Sequence, residues 1–95
     1  MRLKEIEWIR NEKNHLIGKF KDVDGPYVEI YEHNGTYWWN YFEFGPQSYP
    51  DEQGIASSEE GAKESFLEVL KDMINNQISF MLRICEDIPE EVKVE

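Results

Sequence analysis

Apolar and polar residues alternate along the first part of the chain, and a period of two predicts β-strands. Residues 4–10 (KEIEWIR) alternate in this way and predict a strand, with a short helix as the alternative. Residues 15–20 (HLIGKF) predict a second strand, in which Gly18 indicates a bulge or a close approach of another segment. The polar residues 11–14 and 21–25 predict the turns that follow.

Asn34-Gly35, between two aromatic runs, predicts a β-hairpin over residues 26–44. A type I′ turn needs positive φ at both central residues, which asparagine and glycine tolerate. A two-residue loop fixes the register, and directly opposed residues share a face. The predicted pairs are Val28–Tyr41, Ile30–Trp39 and Glu32–Tyr37 on one face, and Tyr27–Phe42, Glu29–Asn40, Tyr31–Trp38 and His33–Thr36 on the other.

Both faces of the hairpin carry aromatic side chains, and only one of them can pack on the domain's own core. The face with Val28 and Ile30 is the aliphatic one, so we expect it to contact the helix. Aromatic side chains around a polar centre are typical of a partly hydrated interface. The alternative is that neighbouring strands, or the 45–54 loop with Tyr49, cover the second face. We name that second set the aromatic face: Tyr27, Tyr31, Trp38 and Phe42.

A long amphipathic helix follows a loop. Proline and glycine predict that residues 45–54 form the loop, and residues 54–57 are a candidate for a short edge strand. Ser57 and Glu60 have the spacing of a capping box. Apolar residues then recur at helical spacing from 58 to about 85: Ala62, Phe66, Val69, Leu70, Met73, Phe80, Met81 and Ile84.

The pattern changes near Asn75 and Asn76, where the helix could break. Residues 78–85 (ISFMLRIC) are apolar on almost all sides, and such a segment is buried from several directions. Either the first two strands or a second subunit would cover it. Residues 89–95 begin with proline and predict a flexible acidic tail.

These elements predict an α+β fold, with a four-stranded antiparallel β-meander and one long C-terminal helix packed on one face. The chain has 95 residues, which corresponds to one domain. We expect that domain to span residues 1–88. A chain of this length buries roughly 60–65% of its unfolded surface, so one core needs no crosslinks.

The net charge of −10 disfavours direct binding to nucleic acid or to anionic membranes. Most of the negative charge lies in residues 26–95, which contain four Lys and Arg and fifteen Asp and Glu. A basic partner is electrostatically favoured. The alternative is that acidity only keeps an aromatic-rich protein soluble.

The helix is expected to carry a line of carboxylates, each four residues from the next. Like charges at this spacing cost roughly 0.2–0.5 kcal/mol per pair, which favours a role outside the fold. Successive carboxylates advance about 6 Å, comparable to the spacing of phosphates, so mimicry of nucleic acid is one hypothesis. A solvated helix face is the alternative. We name this line the acidic ridge: Glu60, Glu64, Glu68 and Asp72.

No catalytic, cofactor or metal site is predicted. His15 and His33 lack a recognisable nucleophile or carboxylate partner in the sequence, which favours structural or surface roles. Cys85 precedes two acidic residues, and these would not lower a thiol pKa. Residues 22–25 (DVDG) resemble part of a calcium loop but lack its later ligands.

The composition predicts a cytoplasmic protein. One cysteine cannot form an internal disulfide, which suits a reducing compartment. The first ten residues carry charges where a signal peptide has an apolar run. No stretch reaches the ~20 apolar residues of a membrane span.

Residues 26–76 resemble small uncharacterised β-meander-plus-helix proteins of phages and mobile elements. The resemblance is carried by the strand YWWNYF, the link GIASSEEGAK and the amphipathic helix after it. It implies an accessory protein that binds and modulates a host or rival protein.

The leading hypothesis is a non-enzymatic interaction module, an inhibitor or immunity-type binder of a basic macromolecular partner such as a nuclease. The aromatic face would make the contact and the acidic ridge would steer the partner. A structural homodimer is the second hypothesis. The third is a small-molecule-binding domain or enzyme with a pocket under the 45–54 loop.

Overall fold

A computed structural model describes residues 3–46 and 48–76. Its strands form one antiparallel sheet in chain order, and a helix closes the described part of the chain. The fold is therefore α+β with a C-terminal helix, as predicted. The elements are β1 (Ile6–Arg10), β2 (Leu16–Phe20), β3 (Tyr27–His33), β4 (Thr36–Phe42), β5 (Glu52–Ala56) and α1 (Glu59–Asn76).

The sheet has five strands, so the prediction of four is wrong. The additional strand, β5, begins inside the predicted loop and pairs with β4, where Gly54 lies opposite Trp39. A Cβ atom on Gly54 would lie 2.6 Å from the Trp39 indole nitrogen. Gly54 is therefore a strand residue at a point of close packing. The sequence analysis placed it both at the end of the predicted loop and at the start of a candidate edge strand over 54–57, and the observed strand begins two residues earlier.

The predicted hairpin is confirmed. Asn34 and Gly35 have φ angles of 54° and 81°, which are the positive values of a type I′ turn. Every predicted cross-strand pair from Tyr27–Phe42 to His33–Thr36 is observed. The turn chemistry therefore sets which side chains of β3 and β4 point to each side of the sheet.

The aliphatic side of the hairpin packs on α1, as expected. Val28, Ile30 and Trp39 are each no more than 1% exposed and belong to the core. The Phe66 ring lies 5.6 Å from the Trp39 ring and completes that core from the helix. The Trp39 Nε1–H also donates a 3.0 Å hydrogen bond to Ser65, which fixes the indole against α1.

The helix begins one residue later than predicted. Ser58, not Ser57, is the N-cap, because its hydroxyl accepts a 3.0 Å hydrogen bond from the Gly61 amide. The third residue after this cap is Gly61, so Glu60 cannot form the predicted capping box. The sequence alone did not distinguish which of the two adjacent serines is the N-cap. In the structure β5 ends at Ala56, and Ser58 takes that position.

The helix lies over one side of the sheet. It packs against β3, β4 and β5. Small residues allow this close approach, since a Cβ atom on Gly61 would lie 3.3 Å from Ala56. The inner side of β1, with Ile6 and Trp8, consequently faces a groove along the flank of α1.

Several predictions concern residues 77–95 and lie outside the described residues. These are the continuation of the helix to about 85, the apolar segment ISFMLRIC, Cys85, and the flexible tail over 89–95. Within residues 3–46 and 48–76, no helix is long and apolar enough to cross a membrane.

Candidate functional site

The aromatic face lies on the side of the sheet opposite to α1, because its residues alternate with the core residues of β3 and β4. Tyr27, Tyr31 and Trp38 are partly buried. Phe42 is only 8% exposed, so it offers little surface to a partner. Tyr27 stacks on Phe42 with ring centroids 4.9 Å apart, so one face of the Tyr27 ring packs against Phe42.

A polar row crosses the centre of the aromatic face between its two aromatic pairs. Glu29 accepts a close contact from the His15 Nδ1 atom, which forms an ion pair when His15 is protonated. The His15 ring also stacks on Tyr31 with centroids 5.1 Å apart. Asn40 lies directly opposite Glu29 on β4. Its Oδ1 atom is buried and has no hydrogen-bond partner within the described residues.

Tyr27 remains a neutral hydrogen-bonding group at this surface. Burial raises the pKa of its phenol, and the nearby Glu29 carboxylate raises that pKa further. Both effects disfavour the phenolate. Together, Tyr27, Glu29 and Asn40 make this side of the sheet rich in hydrogen-bond acceptors.

Tyr49, which the alternative interpretation used as part of a cover for the aromatic face, is itself 80% exposed. Two isoleucines extend the apolar surface towards the sheet edges. Ile9 on β1 is 65% exposed, and Ile55 on β5 is 57% exposed next to Trp38. The side of the sheet away from α1 therefore presents apolar and aromatic side chains on both sides of a polar centre.

The acidic ridge is exposed along the whole of α1. At 3.6 residues per turn, its mean direction lies about 160° from that of the buried helix residues. Those buried residues are Ala62, Phe66, Leu70 and Ile74. The ridge therefore points away from the sheet and into solvent, and Glu60 and Glu64 also border the groove between β1 and α1.

The aromatic face and the acidic ridge thus lie on opposite sides of the molecule. The helix between them is about 10–12 Å across with its side chains. One flat partner surface cannot contact both sets of residues, so the contact and steering roles predicted for them belong to different sides of the molecule.

Concave regions lie on both sides of the sheet. A cavity of about 410 Å³ adjoins Tyr27 and is formed by residues 23–26 and 44–46 together with β2. A larger groove of about 660 Å³ lies on the other side of the sheet, between β1 and α1. The third hypothesis placed a pocket under the 45–54 loop, and the smaller cavity is lined by Gly45 and Pro46 at the start of that loop.

Sequence reasoning missed the pairing of His15 with Glu29, since it assigned no carboxylate partner to either histidine. The contact depends on the register of β2 against β3, in which Leu16 lies opposite Ile30. The described residues contain no group of three or more His, Cys, Asp and Glu side chains that could hold a metal ion.

Comparisons with protein-family models, curated proteins and solved structures find no match to this chain. The resemblance to phage and mobile-element proteins therefore stays a prediction. Inferences about function depend on the geometry of the molecule.

Proposed function

We propose that this protein is a non-enzymatic interaction module that binds a basic protein partner through the aromatic face of its sheet. Inhibition or neutralisation of that partner, as by an inhibitor or immunity protein, is the role that suits a small acidic binder. The proposal includes a cytoplasmic location, no cofactor, and no direct contact with nucleic acid or membrane.

The observation that carries the proposal is the acceptor-rich centre of an otherwise aromatic surface. Tyr31 and Trp38 form a cross-strand pair beside Glu29 and Asn40. Aromatic rings attract cations over their faces, and a carboxylate and an amide oxygen accept hydrogen bonds from them. A lysine or arginine side chain of a partner would pair with the partly exposed Glu29 carboxylate and contact the Trp38 ring.

The acidic ridge has a separate role in this proposal. Because it points away from the aromatic face, it contributes to the long-range field and not to the contact. Residues that raise the net negative charge accelerate encounter with a basic partner, and salt weakens that effect. Mimicry of nucleic acid by the ridge would instead make α1 the contact surface.

A homodimer is the second candidate function. The exposure of Ile9 and Ile55 at the two edges of the same surface favours it. An exposed apolar strip of this kind is typical of an interaction surface. A second copy would, however, place two acidic molecules of net charge −10 against each other.

Photo-cross-linking tests the proposal and identifies the partner. A benzophenone amino acid replaces Tyr31 on the aromatic face in one variant and Glu68 on the acidic ridge in a matched control. Both are irradiated in source lysate at physiological salt, and the adducts are identified by mass spectrometry. We expect Tyr31-site adducts with a protein of net positive charge, and few or none from the Glu68 site.

Other outcomes of this experiment contradict the proposal. Adducts from the Glu68 site alone would make the helix the contact surface. Adducts of the Tyr31 site with a second copy of this chain would establish the homodimer. A partner of net negative charge would remove the electrostatic argument.

A further inference from the structure

The outer edge of β5 is a surface that the proposed function does not use. The strand order places β5 at one edge of the sheet, and its five residues pair with β4 on one side only. On its other side, no strand of residues 3–46 and 48–76 lies beside it. Alternate backbone N–H and C=O groups of an edge strand point outward and can pair with a further strand.

The β5 edge lacks two residue types that commonly protect such edges from pairing. Proline and lysine are frequent in protected edge strands, and β5 (EQGIA) contains neither. Three of its five side chains, those of Glu52, Gln53 and Ile55, are exposed. The opposite edge differs, because β1 follows Lys4 and ends with Arg10. Of the two edges, β5 is therefore the one open to strand pairing.

The β5 edge is also held in place before any partner arrives. Every residue from Glu52 to Ala56 has a partner on β4. On the inner side α1 packs against β5, where a Cβ atom on Gly61 would lie 3.3 Å from Ala56. An ordered strand loses little conformational entropy when another strand pairs with it, which favours binding.

A strand added at β5 would extend the side of the sheet that carries the aromatic face. Ile55 lies opposite Trp38 and Gln53 lies opposite Asn40, so both point to that side. Neighbouring strands lie about 4.8 Å apart. Side chains of the added strand would therefore contact Ile55, which itself borders Trp38.

The charge around β5 selects a basic strand. Residues 51–60 contain four acidic residues and no lysine or arginine. Arg10 pairs with one of them and Lys63 with another, and two more carboxylates stand at the start of β5. The four are Asp51, Glu52, Glu59 and Glu60. Two copies of β5 paired together would bring these like charges close, whereas a basic segment is attracted.

We propose that an extended basic segment of the partner pairs with β5 as a sixth strand of the sheet. The inference rests on the proposed function for the basic character of the partner, and it deepens that function by naming the form in which the partner binds. Backbone hydrogen bonds to β5 would supply affinity, and alternate side chains beside Ile55 would connect the segment to the aromatic face.

A peptide with placed N-methyl groups tests strand pairing. In the probe, valine and lysine alternate, and it is titrated into the ¹⁵N-labelled full chain. N-methyl groups on alternate residues block one edge of the peptide, whereas the same number on consecutive central residues interrupts both edges. We expect the alternate form to bind within about threefold of the unmethylated peptide and the consecutive form at least ~10-fold more weakly. Backbone amide signals of β5 should shift, and those of β1 should not.

Two protein variants of equal charge locate the peptide. Ile55 on β5 and Ile9 on β1 are both exposed and lie on the same side of the sheet at opposite edges. Ile55→Lys is expected to weaken binding of the unmethylated peptide at least ~5-fold, because lysines then face each other across the new strand pair. Ile9→Lys should change it by no more than about twofold.

Equal binding of the two methylated peptides, or β5 amide signals that stay in place at saturation, would overturn the inference. Shifts of the β5 amides that grow with protein concentration in the absence of peptide would overturn it too, because a second copy would then occupy the edge. The cross-linking at Tyr31 separates this inference from the proposed function. Adducts there with a basic partner, together with equal binding of both methylated peptides, would remove strand pairing alone. Discrimination between the two peptides without Tyr31-site adducts would remove the aromatic contact and retain strand pairing.

Discussion

Replacing Phe66 with alanine is expected to destabilise the domain by about 3–5 kcal/mol, since it leaves a cavity at the centre of the core. Phe66 is 1% exposed, and its ring contacts Trp39 and Tyr41 at 5.6 and 5.7 Å between centroids. The free energy of unfolding of a domain this size is only about 5–15 kcal/mol, so this loss is a large share of it. Urea denaturation followed by tryptophan fluorescence measures it.

Glu68→Ala is the matched control on the same helix, two residues further along. Glu68 is exposed and lies on the acidic ridge, so the substitution should change the free energy of unfolding by no more than about 0.5 kcal/mol. Equal effects of Phe66→Ala and Glu68→Ala would contradict the assignment of the buried helix face.

The second large effect concerns binding. Tyr31→Ala combined with Trp38→Ala is expected to weaken the complex with the cross-linked partner at least ~30-fold, because aromatic anchors at interface centres contribute 2 kcal/mol or more. Both side chains are partly buried, and Tyr31 stacks on His15, so some stability is lost as well. We expect the free energy of unfolding to fall by no more than ~2 kcal/mol.

Glu64→Ala combined with Glu68→Ala is the control for charge and for general damage. It removes two exposed residues of the acidic ridge, far from the aromatic face. Isothermal calorimetry at physiological salt should show an affinity within about threefold of the unmodified protein, as for charges outside a contact. A double aromatic variant that binds normally, or that fails to fold, would contradict the assignment of Tyr31 and Trp38.

The hairpin was predictable because its register depends on a local signal. Asn34-Gly35 specifies the turn, and the turn determines which side chains of β3 and β4 share a face. The buried helix face was predictable for a similar reason, since residues such as Phe66 and Leu70 repeat at helical spacing.

Features that depend on tertiary packing were harder to predict. The β5 strand contains Gly54, whose small size is explained only by the Trp39 indole on the neighbouring strand. The pairing of His15 with Glu29 needs the register between β2 and β3. A longer connection sets that register, with positive φ at Asp22 and Gly25, and no two-residue turn signal marks it.

The opposite placement of the aromatic face and the acidic ridge could have been deduced from two periodicities. Residues of the face alternate with core residues such as Val28 and Ile30, so they point away from α1. The ridge lies about 160° around α1 from the buried residues. The sequence analysis identified each surface as a pattern but did not place the two surfaces relative to each other.

The most direct measurement of the central proposal is an NMR titration of ¹⁵N-labelled protein with the partner identified by cross-linking. The indole signal of Trp38 is expected to shift or broaden in proportion to the partner added, while those of Trp8 and Trp39 stay in place. The aromatic face would then be the contact surface. A Trp38 signal that remains unchanged at saturation would contradict this account.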